Sequence, residues 1–255
     1  MSGHNKWSTI KHKKGAADAK RGKIFSKIAK EIAVVVKAGG KDPGSNPTLR
    51  TLLEKAKSVN MPNENIDRAI KKGTGELAAD VVEEITYEGY AAGGVGLVVN
   101  VSTSNKNRAA AEVRSIFKKN GSDFATVGAV SRNFERKGTI LVPAADGLEE
   151  DKVMEVALNA GADDMTADED GFTVTTAPKE FYAVCQALTD AGIAYDQENS
   201  EVGLVPLTTV NVTDVSVAKA VNKFIGALEE NEDVQDVYSN MDVDDSIAEQ
   251  LGEGE

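Results

Sequence analysis

The sequence predicts an α+β protein: an N-terminal three-helix domain followed by two α/β, ferredoxin-like domains, the last inserted into the middle one. Three observations predict it. Apolar residues recur at helical spacing up to about residue 73, then at strand spacing beyond about residue 81. Residues 138–203 read as a complete strand–helix–strand–strand–helix–strand unit, the ferredoxin-like order. Charge is distributed in blocks. Residues 1–72 hold 17 basic and 6 acidic residues, a net +11, whereas residues 143–255 hold 4 and 27, a net −23, in a chain of net charge −12.

Residues 1–19 have no apolar period and read as an arm ordered weakly or only on binding. The arm carries Lys6, Trp7, Lys11, His12, Lys13 and Lys14. A helix follows over 19–38, with Ile24, Phe25, Ile28, Ile32, Val35 and Val36 on one face. Lys20, Lys23, Lys27, Lys30 and Lys37 fall on the opposite face, beside Arg21, and Gly39-Gly40 stops the helix. Asn46-Pro47 starts a second helix as N-cap and first turn. Asn60-Met61-Pro62 breaks it and opens a third, which ends in Arg68, Lys71 and Lys72. Cations in a last turn suit the helix dipole, so part of that cluster needs no ligand.

Strands are expected at 81–90, 95–103 and 129–137, with a helix over 106–119 that opens at Asn105, Lys106, Asn107 and Arg108. The inserted unit supplies a strand beginning GTILVP, a helix at 148–159, strands at 162–167 and 172–177, a helix at 178–191 and a strand at 194–202. Residues 205–239 return a strand, a helix and a strand to the middle domain. The expected boundaries are therefore 1–75 for the basic helical domain, 81–137 plus 204–240 for the middle domain, and 138–203 for the acidic insertion. Residues 241–255 are acidic, lack a core pattern and read as a disordered tail.

No phosphate-loop, metalloprotease, nucleophile-elbow or CxxC pattern occurs. His4 and His12 are the only histidines, too few for a zinc site. Asp168, Asp170 and Gly171 resemble part of a calcium loop, but Ala177 stands where the bidentate Glu is required. Cys185 reads as a core residue, and one cysteine excludes an internal disulfide. The expectation is a protein that is not an enzyme, with no cofactor, no metal and no small-molecule substrate. No apolar run approaches the ~20 residues of a membrane span, and no signal core follows the lysines. A cytoplasmic monomer without a membrane partner is expected. The basic end in an acidic chain points to a polyanion, and lysine dominates over arginine there, which favours phosphate and shape recognition over base reading.

Several longer strings carry a resemblance: GHNKWSTIKHKKGAADAKRGKIFSKIAKEI, GGKDPGSNPTLR, AKSVNMPNENIDRAIKKGTG, YEGYAAGGVG, NKNRAAAEVR and NFERKGTI. Together they resemble the YebC family over essentially the whole chain. The resemblance implies three domains and a non-catalytic factor that regulates gene expression through ribosomal RNA or DNA. Two departures stand out. Ala91-Ala92-Gly93-Gly94 replaces the family's Gly-Pro-Gly-Gly, and Ser104 begins a stretch where the family has an aspartate. The expected function is a ribosome- or rRNA-associated translation factor binding through its N-terminal domain. The alternatives are a DNA-binding transcriptional regulator and, in a different class, a protein–protein adaptor using the acidic α/β domains. The candidate binding residues are those of the arm, Lys20, Arg21, Lys23, Lys27, Lys30, Arg68, Lys71, Lys72 and Asn105–Arg108.

Overall fold

The protein is described here by a computed structural model, covering residues 17–77, 82–243, 247, 250 and 251. Three helices open it: α1 (Ala17–Gly39), α2 (Pro47–Ser58) and α3 (Asn63–Thr74). Ile28, Ile32 and Val36, four residues apart, are buried on α1 against Leu49, Leu52 and Ala56 of α2 and Ile66 and Ala69 of α3. Asn46 joins two helix ends at once. Its Oδ1 accepts from the Leu49 N–H to cap α2, while its Nδ2 donates to the carbonyls of Val35 and Gly40 at the end of α1. Gly73 lets α3 meet α1: a Cβ there would lie 2.6 Å from the Ala33 carbonyl oxygen.

The middle domain is a three-stranded antiparallel sheet of order β1-β2-β8, with β1 (Glu83–Tyr90), β2 (Gly96–Thr103) and β8 (Val234–Ser239). Helices α4 (Lys106–Lys119) and α7 (Val215–Glu229) cover one face. Leu97, Val99 and Val101 point into that core with Val113, Phe117, Val221 and Phe224. Val98 points the other way, against Val130 and Phe134, so β2 is apolar on both faces.

The inserted domain has the strand order β4-β5-β3-β6, all neighbours antiparallel, with β3 (Phe134–Pro143), β4 (Ala162–Asp168), β5 (Gly171–Thr176) and β6 (Glu201–Pro206). Helices α5 (Glu150–Asn159) and α6 (Phe181–Asp190) pack on it through Val153, Ala157, Val184 and Leu188. This is the ferredoxin-like arrangement the sequence predicts.

The structure corrects four sequence readings. The strand expected from 205 in the middle domain is divided: Val205 and Pro206 end β6 on the inserted sheet, and only Val210–Val212 forms a separate strand. The expected strand at 129–137 is split: Ser131–Asn133 is a 3-10 turn, and Phe134 begins the long β3. The N–H groups of Gly128, Val130 and Ser131 are all taken by the Glu88 carboxylate, so none is left for a ladder. The expected strand at 194–202 starts only at Glu201, because Asp196 Oδ1 accepts from the N–H groups of Glu198 and Asn199 and holds a turn. The acidic tail is ordered in part. Met241–Val243 forms β9, parallel to β7 (Val210–Val212), and Ile247 and Leu251 are buried in the middle-domain core. Those two apolar residues, one helical turn apart, outweigh the surrounding acids.

Candidate nucleic-acid interface

Three lysines of the α1 face, Lys23, Lys27 and Lys30, are engaged within the protein. Lys23 Nζ donates to the Glu230 carbonyl at 3.1 Å, and Lys27 Nζ to the carbonyls of Glu229 and Gln235 at 3.3 and 3.4 Å. Lys30 Nζ reaches the carbonyls of Ser102 and Glu232 and the Asp233 carboxylate, the last at 3.0 Å. The acceptors cluster where α7 ends. Unpaired carbonyls and the negative end of the helix dipole make that terminus a site for ammonium groups. The lysines expected to face solvent therefore bind the N-terminal domain to the middle one.

Asp233 is the hub of this contact. Its side chain is buried, and its Oδ2 also accepts from Arg108 Nη2 at 2.7 Å and Thr103 Oγ1 at 3.0 Å. Burial alone would raise its pKa, but the hydrogen bonds from Arg108 and Lys30 outweigh it and hold the carboxyl below its usual range. A second group of charges lies where all three domains meet. Lys55 of α2 sits 3.9 Å from Glu201 of β6. Burial pushes the nearby Glu31 up to about 7, against the pull of Lys55. Burial lowers Lys55 itself, but Glu31 and Glu201 outweigh that and raise it. Arg50 lies over the Tyr182 ring at 4.6 Å, a further contact between α2 and α6.

The expected binding residues thus divide. Lys6, Trp7, Lys11, His12, Lys13 and Lys14 lie outside the described residues. Lys20 and Arg21 stand in the first turns of α1. Asn105 caps α4 by accepting from the Arg108 N–H, Lys106 pairs with Glu83, and Arg108 pairs with Asp233; Asn107 is exposed. Arg108 and Asn105 thus each have a partner within the protein while remaining exposed. Arg68, Lys71 and Lys72 are exposed along α3 and make no side-chain ion pair with another described residue; Lys37 is exposed at the end of α1. Gly73, at the α1–α3 crossing, brings these two groups together. Sequence reasoning missed the docking role of Lys23, Lys27 and Lys30. For Lys30, which meets the Asp233 carboxylate, the acidic Glu-Glu-Asn-Glu-Asp run at 229–233 was an available signal.

Among the described residues, no group of three or more His, Cys, Asp or Glu is placed to hold a metal ion. Burial pushes the Cys185 thiol up to about 12, so it is not a thiolate at neutral pH. No helix among the described residues is long and apolar enough to cross a membrane.

Residues 5–76 match the model of the TACO1/YebC protein N-terminal domain, and residues 82–241 that of the TACO1/YebC second and third domain. A probable transcriptional regulatory protein of Rubrobacter xylanophilus is 52% identical over 248 residues, covering 97% of this chain and 98% of that protein. Another from Desulfotalea psychrophila is 50% identical, covering 99% of this chain and 100% of its own. The crystal structure of a conserved hypothetical protein from Aquifex aeolicus superposes with a TM-score of 0.81 at 45% identity, covering 92% of this chain and 96% of that one.

Proposed function

The chain belongs to the TACO1/YebC family, and we propose that it is a non-enzymatic regulator of gene expression that binds nucleic acid through its basic N-terminal domain, acting on ribosomal RNA in translation. The observation that carries this reading is the concentration of +11 in residues 1–72 of a −12 chain, together with the exposed Lys37, Arg68, Lys71 and Lys72. Phosphate is the ligand such a surface suits.

The choice of RNA follows from which faces remain available. A helix that reads bases must lie in a major groove. One face of α1 is buried in its own domain, and its Lys23, Lys27 and Lys30 are held by the middle domain. The α2 helix is engaged through Arg50 and Lys55. The remaining α3 presents cations beside Glu64 and Asp67, which suits phosphate contact better than groove insertion. Shape and backbone recognition of folded RNA fits this arrangement. A second reading, DNA-bound transcriptional regulation, is favoured by the names of the curated relatives.

Fractionation of a cell lysate on a sucrose gradient separates the two. At low salt the protein is expected to sediment with ribosomal subunits and to leave them as salt rises. Co-migration with DNA after ribosomes are removed supports transcriptional regulation. Migration at the top of a low-salt gradient contradicts the ribosomal reading.

A further inference from the structure

We propose that the middle domain carries a second nucleic-acid contact, built from Arg114, Lys118, Lys119 and Arg132 around the exposed Tyr90, at the end of its sheet remote from the N-terminal domain. It rests on the nucleic-acid reading above and adds a separate surface to it.

The first observation is charge. Residues 113–133 hold four basic residues and one acid, Asp123, whereas residues 73–142 as a whole hold eight of each. Arg114, Lys118, Lys119 and Arg132 are exposed, and none makes an ion pair with another described residue. The helix dipole accounts for Lys118 and Lys119 in the last turn of α4. It does not account for Arg132, which arrives from a different segment.

The second observation is rigidity. Arg114 lies over Phe124 at 4.9 Å, and Phe124 is stacked on Tyr87 with 4.6 Å between centroids. The Tyr90 hydroxyl donates to the Ala129 carbonyl, and Ser122 Oγ donates to the Tyr90 carbonyl. Arg132 Nε donates to the Gly128 carbonyl, leaving the other donors of its guanidinium. Beneath these, the buried Glu88 carboxylate takes four hydrogen bonds from Gly128, Val130 and Ser131. A segment fixed this firmly still displays Val127 at 93% exposure and Tyr90 at 47%. Arg114 and Arg132 are thus each held by a contact, and the exposed Tyr90 is bonded to the chain at Ser122 and at Ala129, between the segments that carry them; such a surface suits a nucleic-acid backbone with a base or ribose against the ring.

The third observation is position. In the β1–β2 pairing, Thr103 opposite Glu83 marks the end that meets Lys30 and Asp233; Tyr90 opposite Gly96 marks the other. Eight strand residues make seven rises of ~3.4 Å each and separate the two ends by about 24 Å. A ligand touching both surfaces is therefore extended on that scale, and a short duplex reaches only one. Two contacts on one ligand multiply affinity through effective concentration.

The test uses the full chain, an RNA hairpin of ~20 base pairs and one of ~5 base pairs, the longer being of the length shape-reading domains span. The Arg114→Gln/Lys118→Glu/Lys119→Glu variant is expected to bind the long hairpin at least tenfold more weakly, with a salt slope lower by about two. Its affinity for the short hairpin stays within twofold of the natural chain, which shows that it is folded, although its thermal midpoint falls modestly because it loses the Arg114–Phe124 contact and sets two acids at the negative end of α4. An Arg68→Glu/Lys71→Glu/Lys72→Glu variant is expected to weaken both. Loss in the second variant with natural affinity and slope in the first overturns the second contact and leaves the N-terminal reading standing. Failure of the natural chain to bind either hairpin overturns both.

Discussion

Replacing Glu88 with alanine is expected to lower stability by about 3–5 kcal/mol, because it orphans the three backbone N–H groups and one hydroxyl that converge on that carboxylate, each costing ~1–3 kcal/mol if left buried and unpaired, with entering water recovering part. Urea unfolding gives the magnitude. Hydrogen exchange gives the location, since the amides of Gly128, Val130 and Ser131 lose protection first. The protonation behaviour provides an independent check. Burial raises the Glu88 pKa, but the hydrogen bonds from Gly128, Ser131 and Val130 outweigh it and hold the group below its ordinary value of 4.5. A carboxylate depressed in the folded state contributes stability above its unfolded pKa and loses it as pH falls through the folded one. The natural protein is thus expected to lose stability below about pH 4.5 by a component that Glu88→Gln lacks. Equal acid sensitivity in the two proteins contradicts this role for Glu88.

Asp233→Ala is expected to cost about 2–4 kcal/mol and to loosen the N-terminal domain. The figure sits below that of a wholly buried pair because the cations can regain water: the side chains of Lys30 and Arg108 are 25% and 53% exposed. The Thr103 hydroxyl is left without its acceptor. Amide exchange across α1 should accelerate while the β3–β5 ladder of the inserted domain stays protected. A uniform change across both contradicts the assignment of Asp233 as the joint between domains. Arg108→Ala is the milder control, since it removes one donor and leaves the Lys30 bond in place.

Much of the fold was legible. The N-terminal helices announce themselves by Ile28, Ile32 and Val36 and by the Asn46-Pro47 start. The βαββαβ order of the insertion follows from alternation and spacing. What escaped has a common cause. The acceptors for Lys23 and Lys27 are main-chain carbonyls at the end of α7, some two hundred residues away. A carbonyl belongs to every residue, so a lysine bound to one looks in the sequence like a lysine bound to water. Glu88 was visible only as part of a family string, because nothing in a sequence separates a carboxylate that gathers four donors from an exposed one. Val130 and Phe134 alternate as a strand would, and the turn between them depends on Glu88, a partner far along the chain. Ile247 and Leu251 were lost among acidic neighbours.

The candidate surface was legible as a charge count and not as a face. Docking engages Lys23, Lys27 and Lys30 within the protein, and capping and pairing engage Asn105 and Arg108. The cations remaining in the described part of the N-terminal domain are few. On the proposed function, most of the binding then falls to the arm, supplemented by Arg68, Lys71 and Lys72. The most direct measurement is the salt dependence of RNA binding by the natural chain and by Lys11→Glu/Lys13→Glu/Lys14→Glu. The natural chain is expected to show log K falling linearly with log salt, by about 0.7–0.9 per phosphate contacted. The triple variant should lose binding at low salt, with a flattened slope in whatever remains. Unchanged affinity and slope in the triple variant would contradict the account.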